Sequence, residues 1–110
     1  MPYISVNLSS ALSSEKEEIL KKEFGELIQT IPGKTEERLM LEFQDNCRLW
    51  FKGQNNAPIA FINVMLYGKS EHEFYQALAD KTIALLNREL DVPSANIYVK
   101  FEEVPNWFWG

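Results

Sequence analysis

The sequence has few of the residues that build disulfides, metal sites and membrane spans. Cys47 is the only cysteine and His72 the only histidine among 110 residues, which excludes an intrachain disulfide, a CxxC motif and a multi-histidine metal site. No apolar run reaches the ~20 residues of a transmembrane helix, and the first residues carry no basic and apolar signal segment. We therefore expect a cytoplasmic protein with no metal, no cofactor and no membrane partner.

Positive charge is also scarce. The chain carries 11 Lys and Arg against 16 Asp and Glu, a net charge of −5, whereas a nucleic-acid surface is basic and clustered. We therefore expect no nucleic-acid partner. The length and the 45% hydrophobic content are typical of one globular domain, which we place at residues 1–110.

One pattern of elements occurs twice along the chain. A proline-led strand, an amphipathic helix and a second strand follow each other from Pro2 and again from Pro58. The first unit reads PYISVNL, a helix over 14–31 and RLMLEF; the second reads PIAFINVMLY, a helix over 70–90 and NIYVKF. A crossover that contains a helix joins parallel strands with right-handed connectivity. The tandem β-α-β units, about 2–50 and 58–103, predict an α+β fold with a four-stranded mixed sheet and two antiparallel helices on one face.

Two smaller features complete this expectation. Each helix is expected to begin at a capping box, Ser14 with Glu17 and Ser70 with Glu73. The segment CRLWF, residues 47–51, is expected to add a short extra strand.

The sheet face without helices would be too apolar to remain in contact with water. Either the face is mispredicted, or it is buried in a homo-oligomer, and the sequence favours the second explanation. Its expected residues are Tyr3, Ser5, Asn7, Met40, Ile59, Phe61, Asn63, Met65, Tyr67, Tyr98 and Lys100.

At this point the chain resembles the tautomerase superfamily, in its macrophage migration inhibitory factor branch. The likeness consists of the Met-Pro start before a strand, the tandem units, Gly-Lys after the first helix, VPSANIYVKFEEV and a Trp-rich tail. The resemblance implies a homotrimer with active sites between subunits. It also implies keto–enol tautomerisation of phenylpyruvate-like or dopachrome-like compounds, with the N-terminal proline as the base.

By position, the resemblance assigns roles to individual residues. Pro2 matches the catalytic base after removal of Met1, Lys34 matches a lysine of the cleft, and Tyr98 matches an aromatic residue from a neighbouring subunit. Tyr67, Lys100 and Trp109 are the further expected substrate-binding residues. The branch often has isoleucine at the position of Tyr67 and asparagine at that of Lys100, so the pocket is expected to be altered.

Simpler explanations and other functions stay open. Pro2 is also an ordinary strand-starting proline, Lys34 a solvated cation near a helix C-terminus and Tyr98 a good strand former. Beside an enzyme acting on an aromatic keto acid, the fold suits a cytokine-like protein that binds an unidentified receptor, or an oligomer with a vestigial pocket. Cytokine-like members of the family leave cells without a signal peptide. The joint presence of the three residues favours the enzyme.

Overall fold

Four strands form one sheet that carries two helices on a single face. The computed structural model describes all residues from Met1 to Gly110. The strands are β1 (Pro2–Leu8), β2 (Met40–Gln44), β3 (Ala60–Tyr67) and β4 (Ile97–Val104), and the helices are α1 (Ser14–Leu27) and α2 (His72–Leu90). Three 3₁₀ turns lie at Ile28–Thr30, Glu36–Arg38 and Ser94–Asn96. The predicted α+β fold is confirmed.

The strand order is β2-β1-β3-β4, so the two strands of each duplicated unit are neighbours. β1 pairs with β2 in parallel and β3 pairs with β4 in parallel, whereas β1 and β3 meet antiparallel at the centre. Each parallel pair is joined through its own helix, as the crossover argument requires. Consequently the start of β1 lies beside the end of β3, where Pro2 is opposite Leu66.

The core lies between the sheet and the helices. Alternate residues of β1 and β3 are buried on the helix-covered face, and a buried apolar side chain of this kind contributes about 1.5–3 kcal/mol. The largest fully buried side chains include Ile4, Val6, Leu20, Phe24, Ile62, Val64, Leu66, Leu78, Leu85 and Leu86. No helix is long and apolar enough to cross a membrane.

The helix starts differ from the predicted capping boxes. Ser13 caps α1, where its hydroxyl accepts the backbone N–H of Lys16 at 3.1 Å. Glu71 occupies the N-cap of α2 without a side-chain cap, while the Ser70 backbone N–H donates to the Tyr75 hydroxyl at 2.8 Å. Both capping boxes were therefore wrong, because the serine one residue earlier caps α1 and no side chain caps α2, whose N-cap is Glu71 rather than Ser70.

The segment CRLWF forms no strand within the chain. Its last residue, Phe51, makes only an isolated bridge with Gln54. Lys52 and Gly53 between them have φ of 55° and 70°, so the chain turns tightly back on itself. The expected extra strand is absent because the segment has no neighbouring strand in its own chain to pair with.

The other face of the sheet carries the predicted apolar side chains and no covering element. Met40 is 69% and Tyr98 58% exposed. Asn63 Oδ1 is buried on this face without a hydrogen-bond partner. Ile59, which was also predicted for this face, is instead buried and lies before the start of β3. Its N–H donates to Ser9 Oγ at 2.8 Å.

Candidate active site at the start of the first strand

The chain start is held at one end of the sheet by β3 and by the turn after α1. The Met1 carbonyl accepts the Tyr67 N–H at 3.0 Å, which continues the β1–β3 ladder beyond Pro2. In the turn, Gly33 adopts φ of 82°, a left-handed conformation that glycine tolerates best. The Lys34 N–H then donates to the Ile31 carbonyl at 3.1 Å. This turn sends the Lys34 side chain toward the end of β3.

A cation and two aromatic rings gather at this end. Lys34 Nζ donates to the Tyr67 carbonyl at 3.1 Å. The Tyr67 ring lies 6.0 Å from the Trp109 ring, centroid to centroid, at an interplanar angle of 60°, which is within the range of favourable aromatic pairs. The structure therefore brings Lys34, Tyr67 and Trp109 together beside the buried Pro2.

The amine at this position is unusually easy to deprotonate. The pKa of the Met1 amine falls from 8.0 to about 6, first because burial disfavours the ammonium form and next because of the charge of Lys34. The Lys34 side chain also donates a hydrogen bond to the neutral amine, and the charge of Arg38 adds a smaller effect. An amine with this pKa is largely neutral at pH 7 and can accept a proton.

Arg38 was missed by the sequence analysis. It is the last residue of the 3₁₀ turn Glu36–Arg38, and Leu39 separates it from β2. β2 pairs in parallel with β1 from Tyr3 and Met40 onward, and the charge of Arg38 lowers the pKa of the Met1 amine, although it is the smallest of the four causes. No local sequence pattern marks Arg38 as close to the chain start.

Two predicted site residues lie elsewhere in the chain. Tyr98 is opposite Phe61 and its ring meets the Phe51 ring edge-on at 5.2 Å. Phe61 and Leu66, the partners of Tyr98 and Pro2, are separated along β3 by about 17 Å at ~3.4 Å per residue. Lys100 lies near the middle of the edge strand β4 and forms an ion pair with Glu102 at 3.0 Å. Within one chain, neither residue reaches Pro2.

The largest surface cavity lies outside this cluster. It measures about 780 Å³ and is lined by residues 9–10, 46–50 and 55–58, at the opposite end of β1, and it includes none of the six predicted site residues. No three His, Cys, Asp or Glu side chains lie close enough to hold a metal ion. The N-terminal cluster is the candidate site because it gathers an amine of lowered pKa, a cation and an aromatic pair at one end of the sheet.

Comparisons with known proteins agree with this fold. The family model for macrophage migration inhibitory factor matches residues 1–110. The structure of Leishmania major MIF2 is 25% identical with a TM-score of 0.91, over 99% of this chain and 93% of that chain. The homologue from Prochlorococcus marinus is 24% identical with a TM-score of 0.81, over 98% and 95%.

A third similar structure is that of Pt0534 inactivated by 2-oxo-3-pentynoate. It is 21% identical with a TM-score of 0.77, over 93% of this chain and 85% of that chain. At this level of identity the likeness concerns the fold alone. No curated protein sequence gives a significant match.

Proposed function

The chain belongs to the macrophage migration inhibitory factor family, and from that premise we propose that it is a keto–enol tautomerase acting on aromatic 2-keto acids such as phenylpyruvate. The base is the amine of Pro2, released when Met1 is removed. One observation carries the proposal: the Met1 amine, one residue before Pro2, lies near Lys34 at one end of the sheet, and its pKa is lowered to about 6.

Removal of Met1 matters because of the chemistry of the proline nitrogen. While Met1 is attached, this nitrogen belongs to a tertiary amide and has no basic lone pair. Once free, it is a secondary amine, which is more basic than the primary amine it replaces. Burial at the start of β1 and the nearby charge of Lys34 would lower its pKa toward the operating pH, where a general base works best.

The surrounding side chains suit an aryl keto acid. Lys34 would bind the substrate carboxylate, and the Tyr67–Trp109 pair would pack against the aryl ring. As the Pro2 amine takes a proton from the carbon beside the carbonyl, negative charge develops on the carbonyl oxygen and requires a donor. In our proposal a neighbouring subunit supplies that donor through its Tyr98, with Lys100 on the same strand near the substrate.

The proposal therefore requires a homotrimer. The uncovered apolar face and the unsatisfied Asn63 Oδ1 support an oligomer, and the number three comes from the family resemblance. Sedimentation at micromolar concentration should give a trimer, and a monomer would contradict the proposal.

The decisive experiment compares Met1-retaining, trimmed and Pro2→Gly proteins on phenylpyruvate, with mass spectrometry of each preparation. Only the trimmed wild type should be active, because only it has a secondary amine at the site. Equal activity with and without Met1 would remove Pro2 from the mechanism. A trimmed, folded and trimeric protein without activity would favour the cytokine-like alternative.

A chemical probe gives a second readout. The relative Pt0534 is inactivated by 2-oxo-3-pentynoate, which combines a 2-keto acid with an electrophilic alkyne. In the trimmed protein, the Pro2 nitrogen should add to the alkyne carbon while the neighbouring carbon takes up the proton, so the mass rises by one reagent molecule. A label found on any other residue would contradict the assigned role of Pro2.

A further inference from the structure

The peptide unit between Tyr67 and Gly68 holds Lys34 at the candidate site. Its carbonyl oxygen accepts a hydrogen bond from Lys34 Nζ at 3.1 Å, and its N–H donates to the Val104 carbonyl at the end of β4, also at 3.1 Å. Because a peptide unit is planar and trans, its C=O and its N–H point in opposite directions. The hydrogen bond to β4 therefore fixes the direction in which the carbonyl faces Lys34.

Lys34 can bind a substrate without releasing this carbonyl. An ammonium group has three N–H donors, and the Tyr67 carbonyl uses one of them. The other two remain for the chain-start amine, to which Lys34 also donates, and for a carboxylate. The carbonyl is therefore an anchor that can stay in place while the substrate binds.

The anchoring peptide unit lies where the chain leaves the sheet. β3 ends at Tyr67 and α2 begins at His72, so residues 68–71 form the turn between them. Gly68 opens this turn with a φ of 82°. Further along the turn, the Ser70 N–H donates to the Tyr75 hydroxyl at 2.8 Å. A side chain of α2 therefore supports the turn from its other end.

The Tyr75 hydroxyl also ties this turn to β4. It donates to Glu103 Oε2 at 2.7 Å, and Glu103 directly precedes the residue whose carbonyl holds the peptide unit. The Tyr75 ring stacks on Phe101, with the centroids 4.8 Å apart and an interplanar angle of 22°. Phe101 and Glu103 share one face of β4, since alternate residues of a strand point to the same side. One side chain thus connects the turn, α2 and the end of β4 around the anchor of Lys34.

We infer that Tyr75 is a positioning residue: its hydroxyl holds the turn after β3, so that the Tyr67 carbonyl keeps Lys34 Nζ directed at the substrate carboxylate. The inference rests on the proposed function and adds to it a residue that contacts neither the substrate nor the reacting atoms. Ordering one long side chain on binding corresponds to about a two- to tenfold loss of affinity. Tyr75 lowers this cost by ordering Lys34 before the substrate arrives.

Tyr75→Phe tests the inference, because it removes the hydroxyl and keeps the ring that stacks on Phe101. In the trimmed protein, well above the pKa of the amine, KM for phenylpyruvate should rise about two- to tenfold, and kcat should change less. Calorimetry with 3-phenylpropanoate, an aryl carboxylate without a keto group, should show a similar loss of affinity without any dependence on catalysis. An unchanged KM and an unchanged affinity overturn the inference.

A double-mutant cycle determines whether Tyr75 acts through Lys34. Once Lys34 is replaced by alanine, Tyr75→Phe should have little further effect on the affinity for 3-phenylpropanoate, because the side chain that it orders is gone. The same fold loss with and without Lys34 would mean that Tyr75 only supports the fold, and it would overturn the inference.

Two further variants separate positioning from stability. Ser13→Ala is the matched control, because it removes one hydrogen bond at the start of α1; it should lower stability and leave the affinity unchanged. Glu103→Ala keeps the hydroxyl and removes its acceptor on β4, and it should weaken binding by a smaller factor than Tyr75→Phe. Glu103 is exposed, so this variant decides the question if Tyr75→Phe does not fold. An unchanged affinity in Glu103→Ala would then overturn the inference.

The inference and the proposed function fail in different ways. Phenylpyruvate turnover with a KM that Tyr75→Phe leaves unchanged refutes the role of Tyr75 alone. Binding of 3-phenylpropanoate that depends on Lys34 and is weakened by Tyr75→Phe, without any turnover of phenylpyruvate, supports the role of Tyr75 and refutes the tautomerase proposal.

Discussion

Replacing Lys34 by alanine tests the electrostatic basis of the candidate site most directly. Its ammonium disfavours protonation of the chain-start amine in two ways, through its charge and through a hydrogen bond to the neutral form. Both are lost in Lys34→Ala, whereas burial, the largest cause, and the charge of Arg38 remain. The pKa of the amine must therefore rise, but it should stop short of its ordinary value.

Two pKa values limit the size of the rise. The amine pKa is about 6 against an ordinary 8.0, and after removal of Lys34 it should lie between these values, because burial and the charge of Arg38 remain. At pH 6 the neutral fraction should then fall from about one half, and it cannot fall below about one hundredth, the fraction for an amine with its ordinary pKa. In the trimmed enzyme the same logic moves the rising limb of the pH–rate profile to higher pH, and it also raises KM for phenylpyruvate, because the carboxylate loses its partner.

The amine pKa can be measured without any assumption about activity. Met1-retaining protein is acetylated with limiting acetic anhydride across a pH series, and mass spectrometry of the N-terminal peptide gives the fraction labelled. Lys22→Ala is the matched control, because it removes the same charge from the exposed surface of α1. An unchanged pKa in Lys34→Ala, or an equal rise in Lys22→Ala, would refute the reasoning.

Three further predictions concern the helix start, the subunit boundary and pH. Ser13→Ala should lower the free energy of unfolding in urea by about 1 kcal/mol, while Ser14→Ala should change it little; equal losses would contradict the observed cap. Tyr98→Phe should lower kcat by about 10²–10³ if its hydroxyl stabilises the enolate, and mixing Pro2→Gly with Tyr98→Ala chains should restore some activity; failure to restore any would place the site within one chain. Because the folded amine has a pKa of about 6 and the unfolded amine about 8.0, the unfolded chain takes up its proton first as the pH falls from 8 to 6. Stability should therefore decline over that range, by less than about 1 kcal/mol because the group is only partly buried, and N-acetylated protein, lacking the amine at Met1, should not show this part of the decline.

The sheet and its pairing could be predicted because periodicity and chain connectivity decide them. Alternating strands bury one face, and a crossover that contains a helix leaves only parallel pairing within each unit. The exact helix starts could not be predicted. In the run Ser13-Ser14, either hydroxyl could cap α1, and only the three-dimensional course of the chain places Ser13 where it accepts the Lys16 N–H.

The candidate site was predictable only in part. Lys34, Tyr67 and Trp109 entered through the family resemblance, since each one alone is an ordinary surface or packing residue. Arg38 was missed because its charge acts on an amine that is 37 residues earlier in the chain, and no local pattern encodes that proximity. Residues that lie far apart in sequence can be assigned to one site only when the pairing of the strands is known.

Within one chain, the residues of the proposed site lie at two separate ends of the sheet. Pro2 and Lys34 lie where β1 begins, whereas Tyr98 lies about 17 Å away along the strands, and a hydrogen-bonded sheet packed under two helices cannot fold over to close that distance. If Tyr98 serves the reaction, it must reach the Pro2 amine of another chain. The uncovered face of the sheet then has a second role beyond burial of apolar surface, because the contact that covers it also fixes the alignment of the two half-sites. Catalysis and assembly are therefore coupled in the proposed enzyme: a substitution on this face, even one far from Pro2, would lower activity to the extent that it loosens the alignment between chains.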